Sequence, residues 1–287
     1  MAELITSPQY DEIQPYWVLL VDVLGVRKRI NNDLRNLLLA YRRAVQAALD
    51  NWRIIKTRQL ASRYGPPGSD VSAATDASNW RTRVKIFSDS SFVFFNGSLD
   101  SDTYRIESPY WIGTFASQLS LALWKAELPH RGAVAYGDCA LDHEHSIFLG
   151  PGIARAYEYE QRQKWLGIAL NPEDLQRFRI EDQIDGPRYL VEADARVRLP
   201  GREVNSAPYT ERTLVLRPHS ELNSHGETMS AILGFNLEQE KVQSRPEEHD
   251  NPAEILARYR FTRHQWRREL ERAWPNLLSE LDQGPSD

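Results

Sequence analysis

Residues 16–21 read YWVLLV, an unbroken apolar run that stops at Asp22. Such a run predicts a strand buried on both faces and central in its sheet. Leu24-Gly25 turns the chain. From 32 to about 58 the residues Leu34, Leu37, Leu38, Tyr41, Val45, Leu49, Trp52 and Ile55 recur at helical spacing. That periodicity predicts a long amphipathic helix with Asn31 or Asn32 as its N-cap. Residues 64–79, rich in Gly, Pro, Ser, Asp and Ala, predict a loop or insertion. Two short strands are expected at 84–86 and 91–95, joined through Phe87-Ser88-Asp89-Ser90 with Asp89 at the hairpin tip. A helix over 111–128 is stopped by Pro129. A strand over 131–137 follows, then a tight turn at Phe148-Leu149-Gly150-Pro151-Gly152 leading into a helix that runs to about 165. Residues 166–170 predict another strand, and Asn171-Pro172 caps the helix expected after it.

This order of elements predicts an α+β fold, with a mostly antiparallel sheet and helices on one face. Residues 189–235 mix short strands with polar turns, and Pro252 opens a helix reaching about 281. The expected division is a main domain over 1–185 and a C-terminal α/β extension over 186–287.

Composition narrows the class. With 41 % hydrophobic and 26 % charged residues, the 287-residue chain has the make-up of a globular domain able to bury a full core. The formal net charge of −5 argues against a nucleic-acid binder. Cys139 is the only cysteine, which excludes an internal disulfide and a cysteine-rich zinc site and suits the reducing cytoplasm. No apolar run approaches the roughly 20 residues of a membrane helix. Residues 1–15 lack the plan of a signal peptide. A cytoplasmic protein without a membrane or nucleic-acid partner is expected.

Two carboxylates carry the candidate chemistry. Asp22 ends a buried strand, and Asp89 is flanked by the hydroxyls of Ser88 and Ser90. A carboxylate at the end of a central strand is costly to bury without compensation. Two of them on adjacent strands repel unless a cation lies between. Oxygen ligands of this kind suit Mg²⁺ or Mn²⁺. Taken singly, each Asp is equally a common turn or cap residue, and spacing alone does not bring them together. His143 and His145 alternate on an expected loop without an evident third ligand, and a solvated loop is the simpler reading.

Val21-Asp22-Val23-Leu24-Gly25 resembles the Asp-hydrophobic-x-Gly metal motif of class III nucleotide cyclases. Val84-Lys85-Ile86-Phe87-Ser88-Asp89 resembles their second motif, Lys-x-x-Gly-Asp, with Ser88 in place of Gly. His130-Arg-Gly-Ala-Val-Ala-Tyr-Gly137 is similar to the strand that follows, and Phe148-Leu149-Gly150 to the Trp-Gly turn before the last active-site helix. The resemblance covers about residues 14–172 and implies a ferredoxin-like βαββαβ core. Phe-Ser-Asp-Ser at the hairpin, Arg-Gly-Ala-Val before the turn and Gly-x-x-x-Ala-Tyr-Glu after it resemble more narrowly the pyrimidine cyclases of bacterial anti-phage (Pycsar) systems.

That resemblance implies conversion of UTP to 3′,5′-cyclic UMP and pyrophosphate by two divalent ions, Mn²⁺ or Mg²⁺. The product would be a messenger sensed by a separate effector protein in antiviral defence. CTP as substrate, or an inactive cyclase-like regulator that binds a nucleotide or a partner, are the alternatives. Asp22, Asp89 and the carbonyl of Val23 are the implied metal ligands. The turn from Val23 through Gly25 to Val26 would offer amides to phosphates, and Arg27 a cation. Arg53 and Thr57, four apart on one helix face, fit the base-recognition spacing of the group, and Lys85 sits where purine cyclases select their base. An exposed helix pair and a snorkelling strand lysine remain open readings for them. The helix Asn and Arg of the family fall on Ala154 and Glu158, which cannot do their work. Arg155 is the implied catalytic replacement, with Arg162 and Arg131 as alternatives. The adenine-reading Asp falls on Ile147, which argues against ATP. One copy of each motif implies a homodimer with its sites at the interface.

Overall fold

The computed structural model describes residues 13–64, 83–87, 90–96, 102–142, 147–174, 190–197, 209–216, 225–249, 251–273 and 275–282. The first strand, β1 (Gln14–Val23), leads through a two-residue turn into α1 (Val26–Tyr64). Then come β2 (Arg83–Phe87), β3 (Ser90–Asn96), α2 (Asp102–Lys125) and β4 (His130–Asp142). The strands β5 (Ile147–Leu149), β6 (Gly167–Leu170), β7 (Leu190–Val197) and β8 (Tyr209–Leu216) follow, with α3 (Pro151–Arg162) between β5 and β6. The chain closes with α4 (His225–Ser244), α5 (Pro252–Ala273) and α6 (Leu278–Asp282). Among the described residues the strands run in the order β2-β3-β1-β4-β6-β8-β7, with β5 paired to β4. All neighbours are antiparallel except β4 and β6.

The apolar run of β1 behaves as its pattern requires. The strand lies between β3 and β4 and is buried on both sides. Trp17, Leu19, Val21 and Val23 enter one core, with Val45, Trp52 and Phe115 from α1 and α2. Tyr16, Val18 and Leu20 enter a second, with Ala156 and Ile153 of α3. The first four strands and two helices thus form a βαββαβ unit of ferredoxin-like order, with both of its helices on one face. The shorter α3, which follows that unit, covers the other face.

Several boundaries differ from expectation: β4 runs on to Asp142, the strand β5 overlaps the expected tight turn at 148–152, the helix expected over 252–281 is divided into α5, a 3-10 turn and α6, and two helices start earlier than expected. Helix α1 begins at Val26, and the polar Asn31-Asn32-Asp33 run marks a kink inside it: Asp33 leaves helical geometry at φ −156, ψ 50. The Asn36 side-chain amide donates to the Asp33 carboxylate at 3.0 Å beside the kink, and the expected caps Asn31 and Asn32 lie inside α1, not at its start. Helix α2 begins at Asp102, nine residues before the expected start. Pro109, which lacks an amide donor, interrupts the amphipathic pattern there while the backbone stays helical.

Strands β7 and β8 continue the same sheet past β6, so the expected boundary after 185 falls between strands of one sheet. Helix α4, which the mixed composition of 189–235 concealed, packs with α5 and α6 against α2. Their third core joins Leu121 and Trp124 of α2 to Phe235, Tyr259, Trp266 and Leu270. No helix among the described residues is long and apolar enough to cross a membrane.

Candidate active site

The site begins where β1 ends. Asp22 lies opposite Ser90 of β3 on one side and Arg131 of β4 on the other. Strand alternation sends it to the α3 face, because Leu20 and Val18 on the same side enter the α3 core. The Ser90 hydroxyl donates to Asp22 Oδ1 at 3.2 Å, and Arg131 Nη2 stands 3.8 Å from Asp22 Oδ2. Arg131 Nε pairs in turn with the carboxylate of Glu160, buried on α3. The result is a file of carboxylate, guanidinium and carboxylate leading from the sheet into the helix. Burial raises the Glu160 carboxyl to about 7. The neighbouring Arg131 pulls it down, and the charge of Asp22 pushes it further up.

Phe87 pairs with Ser90, so β2 and β3 are antiparallel partners as expected. Asp89 itself lies outside the described residues, as do His143 and His145. Its chain neighbour Ser90 is the residue hydrogen-bonded to Asp22. The next residue, Ser91, faces the other way and shares a short hydrogen bond with the Tyr41 hydroxyl of α1, which ties the hairpin base to that helix.

After Asp22 the chain turns sharply. Val23 and Val26 are buried against α1 and α2, while Gly25 is exposed at φ +75. A side chain is strained at that angle, and Gly takes it freely. The backbone of Arg27 lies in α1, and its side chain is outside the described residues. Lys85 of β2 sits opposite Phe92, on the Asp22 face, with its ammonium 5.5 Å from the centre of the Phe148 ring.

Other expected residues are not gathered here. Arg53 is exposed, 3.6 Å from Asp50, on the helix that covers the opposite face. The side chain of Thr57 is outside the described residues. Arg155, the expected replacement for the missing helix arginine, is turned away from Asp22. Its guanidinium donates to the Tyr136 carbonyl at 2.7 Å and meets Glu173 at 3.1 Å and Asp174 at 2.9 Å. These contacts tie α3 to the turn at Asn171, whose side-chain oxygen accepts from the Glu173 amide as expected of a cap. Arg162 lies over the Tyr159 ring at 5.6 Å. Ala154, Glu158 and Ile147 are exposed. Of the three arginines, Arg131 is the one beside Asp22.

Sequence reasoning missed Glu160. A signal existed: Gly152, Ala156 and Glu160 recur every four residues, so the small residues that let α3 approach the sheet carry the glutamate inward with them.

A metal would meet a carboxylate, a hydroxyl and backbone carbonyls here, while the imidazole of His130, paired with Val23, has both nitrogens engaged by Ser120 and Leu128. That oxygen-only set fits a hard divalent ion. Among the described residues no group of three or more His, Cys, Asp and Glu surrounds a point, so the described donors amount to Asp22 and the backbone beside it.

No protein-family model matches the sequence. No curated protein matches it either. Solved structures that align with the chain include guanylyl and adenylyl cyclases. The catalytic core of a rhodopsin-guanylyl cyclase with converted specificity, in complex with ATPalphaS, is 12% identical over 73% of this chain and 98% of its own, at a TM-score of 0.40. A guanylyl cyclase is 10% identical over 71% and 90%, at 0.35. A bacterial light-regulated adenylyl cyclase is 10% identical over 80% and 58%, at 0.39. At similarities this low, the function has to be argued from the residues.

Proposed function

We propose that this chain is a nucleotide cyclase that converts UTP to 3′,5′-cyclic UMP and pyrophosphate. The observation that supports it is the meeting of Asp22 with Ser90: the two acidic motifs belong to neighbouring strands, and their ends are hydrogen-bonded. In this reading Asp22, Asp89 and the Val23 carbonyl hold two Mn²⁺ or Mg²⁺ ions. When bound, the ions acidify the ribose 3′-hydroxyl and neutralise charge on the triphosphate. The 3′-oxygen bonds to the α-phosphorus, the bond to the β-phosphate oxygen breaks, and pyrophosphate leaves with the hydroxyl proton passed to solvent. The turn Val23–Gly25–Val26 and the side chain of Arg27 bind phosphates. Arg131, rather than Arg155, supplies the cation nearest the reacting end, and Glu160 holds it there. Lys85 approaches the base from the sheet. Arg53 and Thr57, which belong to the other face of their own chain, serve a site completed by a second copy, so the working form is a homodimer. The cyclic product acts in the cytoplasm as a messenger for a separate antiviral effector.

The purified protein, incubated with each of the four nucleoside triphosphates and Mn²⁺, is expected to yield cyclic UMP as its main cyclic product. Cyclic CMP as the main product moves the substrate to CTP. No cyclic nucleotide from a folded dimer with any of the four overturns the reading. Asp22→Asn is expected to lower turnover by roughly 100-fold or more while leaving the fold intact. Arg53→Ala is expected to change the ratio of UTP to CTP turnover by about tenfold, equivalent to about 1.4 kcal/mol.

A second reading, nucleotide binding without turnover, is favoured by the exposed Ala154 and Glu158 where the family's helix pair would stand. Saturable UTP binding with no cyclic product would select it.

A further inference from the structure

The turn that follows Asp22 is held by two cores at once. Val23 and Val26 are buried with α1 and α2, but Leu24, between them, packs against the third core, which joins Leu121 and Trp124 of α2 to the C-terminal helices. The backbone follows the same path. The Leu24 amide donates to the Pro129 carbonyl at 2.8 Å, and Val23 pairs with His130. His130 is fully buried, with its ring centroid 4.9 Å from that of Trp124. Trp124 is in turn enclosed by Phe235 at 5.1 Å and Trp266 at 5.6 Å. The segment that joins α2 to β4, and carries Pro129, is also gripped from outside by the Lys241–Glu127 ion pair.

These contacts run without a gap from α4 and α5 to Val23 and Leu24. We propose that the C-terminal helices α4–α6 are a positioning element for the active-site turn, and that Leu24 is the positioning residue through which they act. Loosening the helices frees the Asp22–Val26 turn while the middle of β1, fixed by strand pairing on both sides, stays in place. What the turn then fails to do, cradle phosphates beside Asp22, rests on the reading given under Proposed function. The coupling itself does not.

Hydrogen exchange of the full chain without nucleotide tests it. Trp266→Leu removes an aromatic ring that α5 contributes to the third core. The expected result is at least tenfold faster exchange over 22–26 with no change over 17–21. Faster exchange in 225–244 with 22–26 unchanged overturns the proposal. So does equal acceleration of 17–21 and 22–26, which marks general destabilisation. Should Trp266→Leu not fold, Ile255→Ala makes a smaller cut in the same core and is read the same way. In cyclase assays the folded variant is expected to lose about tenfold in kcat/KM, and unchanged kcat/KM with a freed turn overturns the positioning role. A chain that shows the exchange response but makes no cyclic nucleotide keeps the coupling and overturns the cyclase reading.

Discussion

Glu160 and His130 are buried titratable residues on either side of the same strand end, and burial shifts them in opposite directions. His130 donates from Nδ1 to the Leu128 carbonyl at 3.0 Å and accepts from the Ser120 hydroxyl at 2.8 Å, which leaves a neutral ring with both nitrogens used. Burial lowers its pKa from 6.5 to about 4. As pH falls below 6.5, the unfolded chain takes up a proton that folded His130 refuses, so the fold loses stability, by up to about 3 kcal/mol near pH 4. Glu160 works the other way. Its folded carboxyl takes a proton below about 7, its unfolded one only below 4.5, so falling pH favours the fold across that window. The two slopes oppose each other between pH 6.5 and 4.5. Glu160→Gln removes one of them. Urea denaturation is expected to show the variant losing about 2 kcal/mol relative to the native chain between pH 6.5 and 5. Equal slopes in the two proteins would contradict this account. His130 was legible as part of a strand motif, but no sequence signal marked it as neutral, because its neutrality depends on Trp124 and Ser120 closing over it.

Among the elements, the crossing of α4 over α2 is decided by one glycine. A Cβ built at Gly234 would lie 1.9 Å from the backbone carbonyl oxygen of Trp124, closer than any real contact. The two helices touch backbone to backbone there, which only Gly allows. Gly234→Ala is expected to destabilise the protein by about 3 kcal/mol or more, since the atom in the way is main chain and cannot rotate aside. Thermal unfolding measures it, and a Tm within a degree of the native value would show that the helices separate at little cost. Helix α1 teaches a different lesson. Its apolar periodicity predicted the buried face correctly from Tyr41 onward, with Tyr41, Val45, Trp52 and Ile55 inside, whereas Leu34 and Leu38 of the same expected face are exposed. Its start was misjudged, because the polar run at 31–33 marks a kink inside the helix and not its beginning.

For the whole molecule, the decisive feature is continuity. Strands β7 and β8 extend the sheet of the βαββαβ unit, and Trp124 and Leu166 belong to the same core as the C-terminal helices. The Thr262 hydroxyl donates to the Leu166 carbonyl at 3.1 Å and accepts from the Leu166 amide at 3.0 Å, which bolts α5 to the start of β6. Shared cores unfold together. Calorimetry is therefore expected to show one cooperative transition, and two well-separated transitions would mean that 225–282 is an independent unit.

The linear pattern alone determined the order of strands and helices up to residue 170 apart from the short β5, the double-sided burial of β1, the junction of β2 with β3 at 87–90, and Asp22 as the residue to watch. Those follow from local periodicity and turn chemistry, which a chain carries whether folded or not. Tertiary structure alone decided that Arg131, not Arg155, stands beside Asp22. It also decided that Glu160 lies behind Arg131, that Arg53 belongs to the opposite face, and that Leu24 packs against a core that α2 shares with helices more than 200 residues downstream. Each of those is a meeting of side chains distant in sequence, set by register and helix crossing, and neither leaves a periodic trace in the sequence.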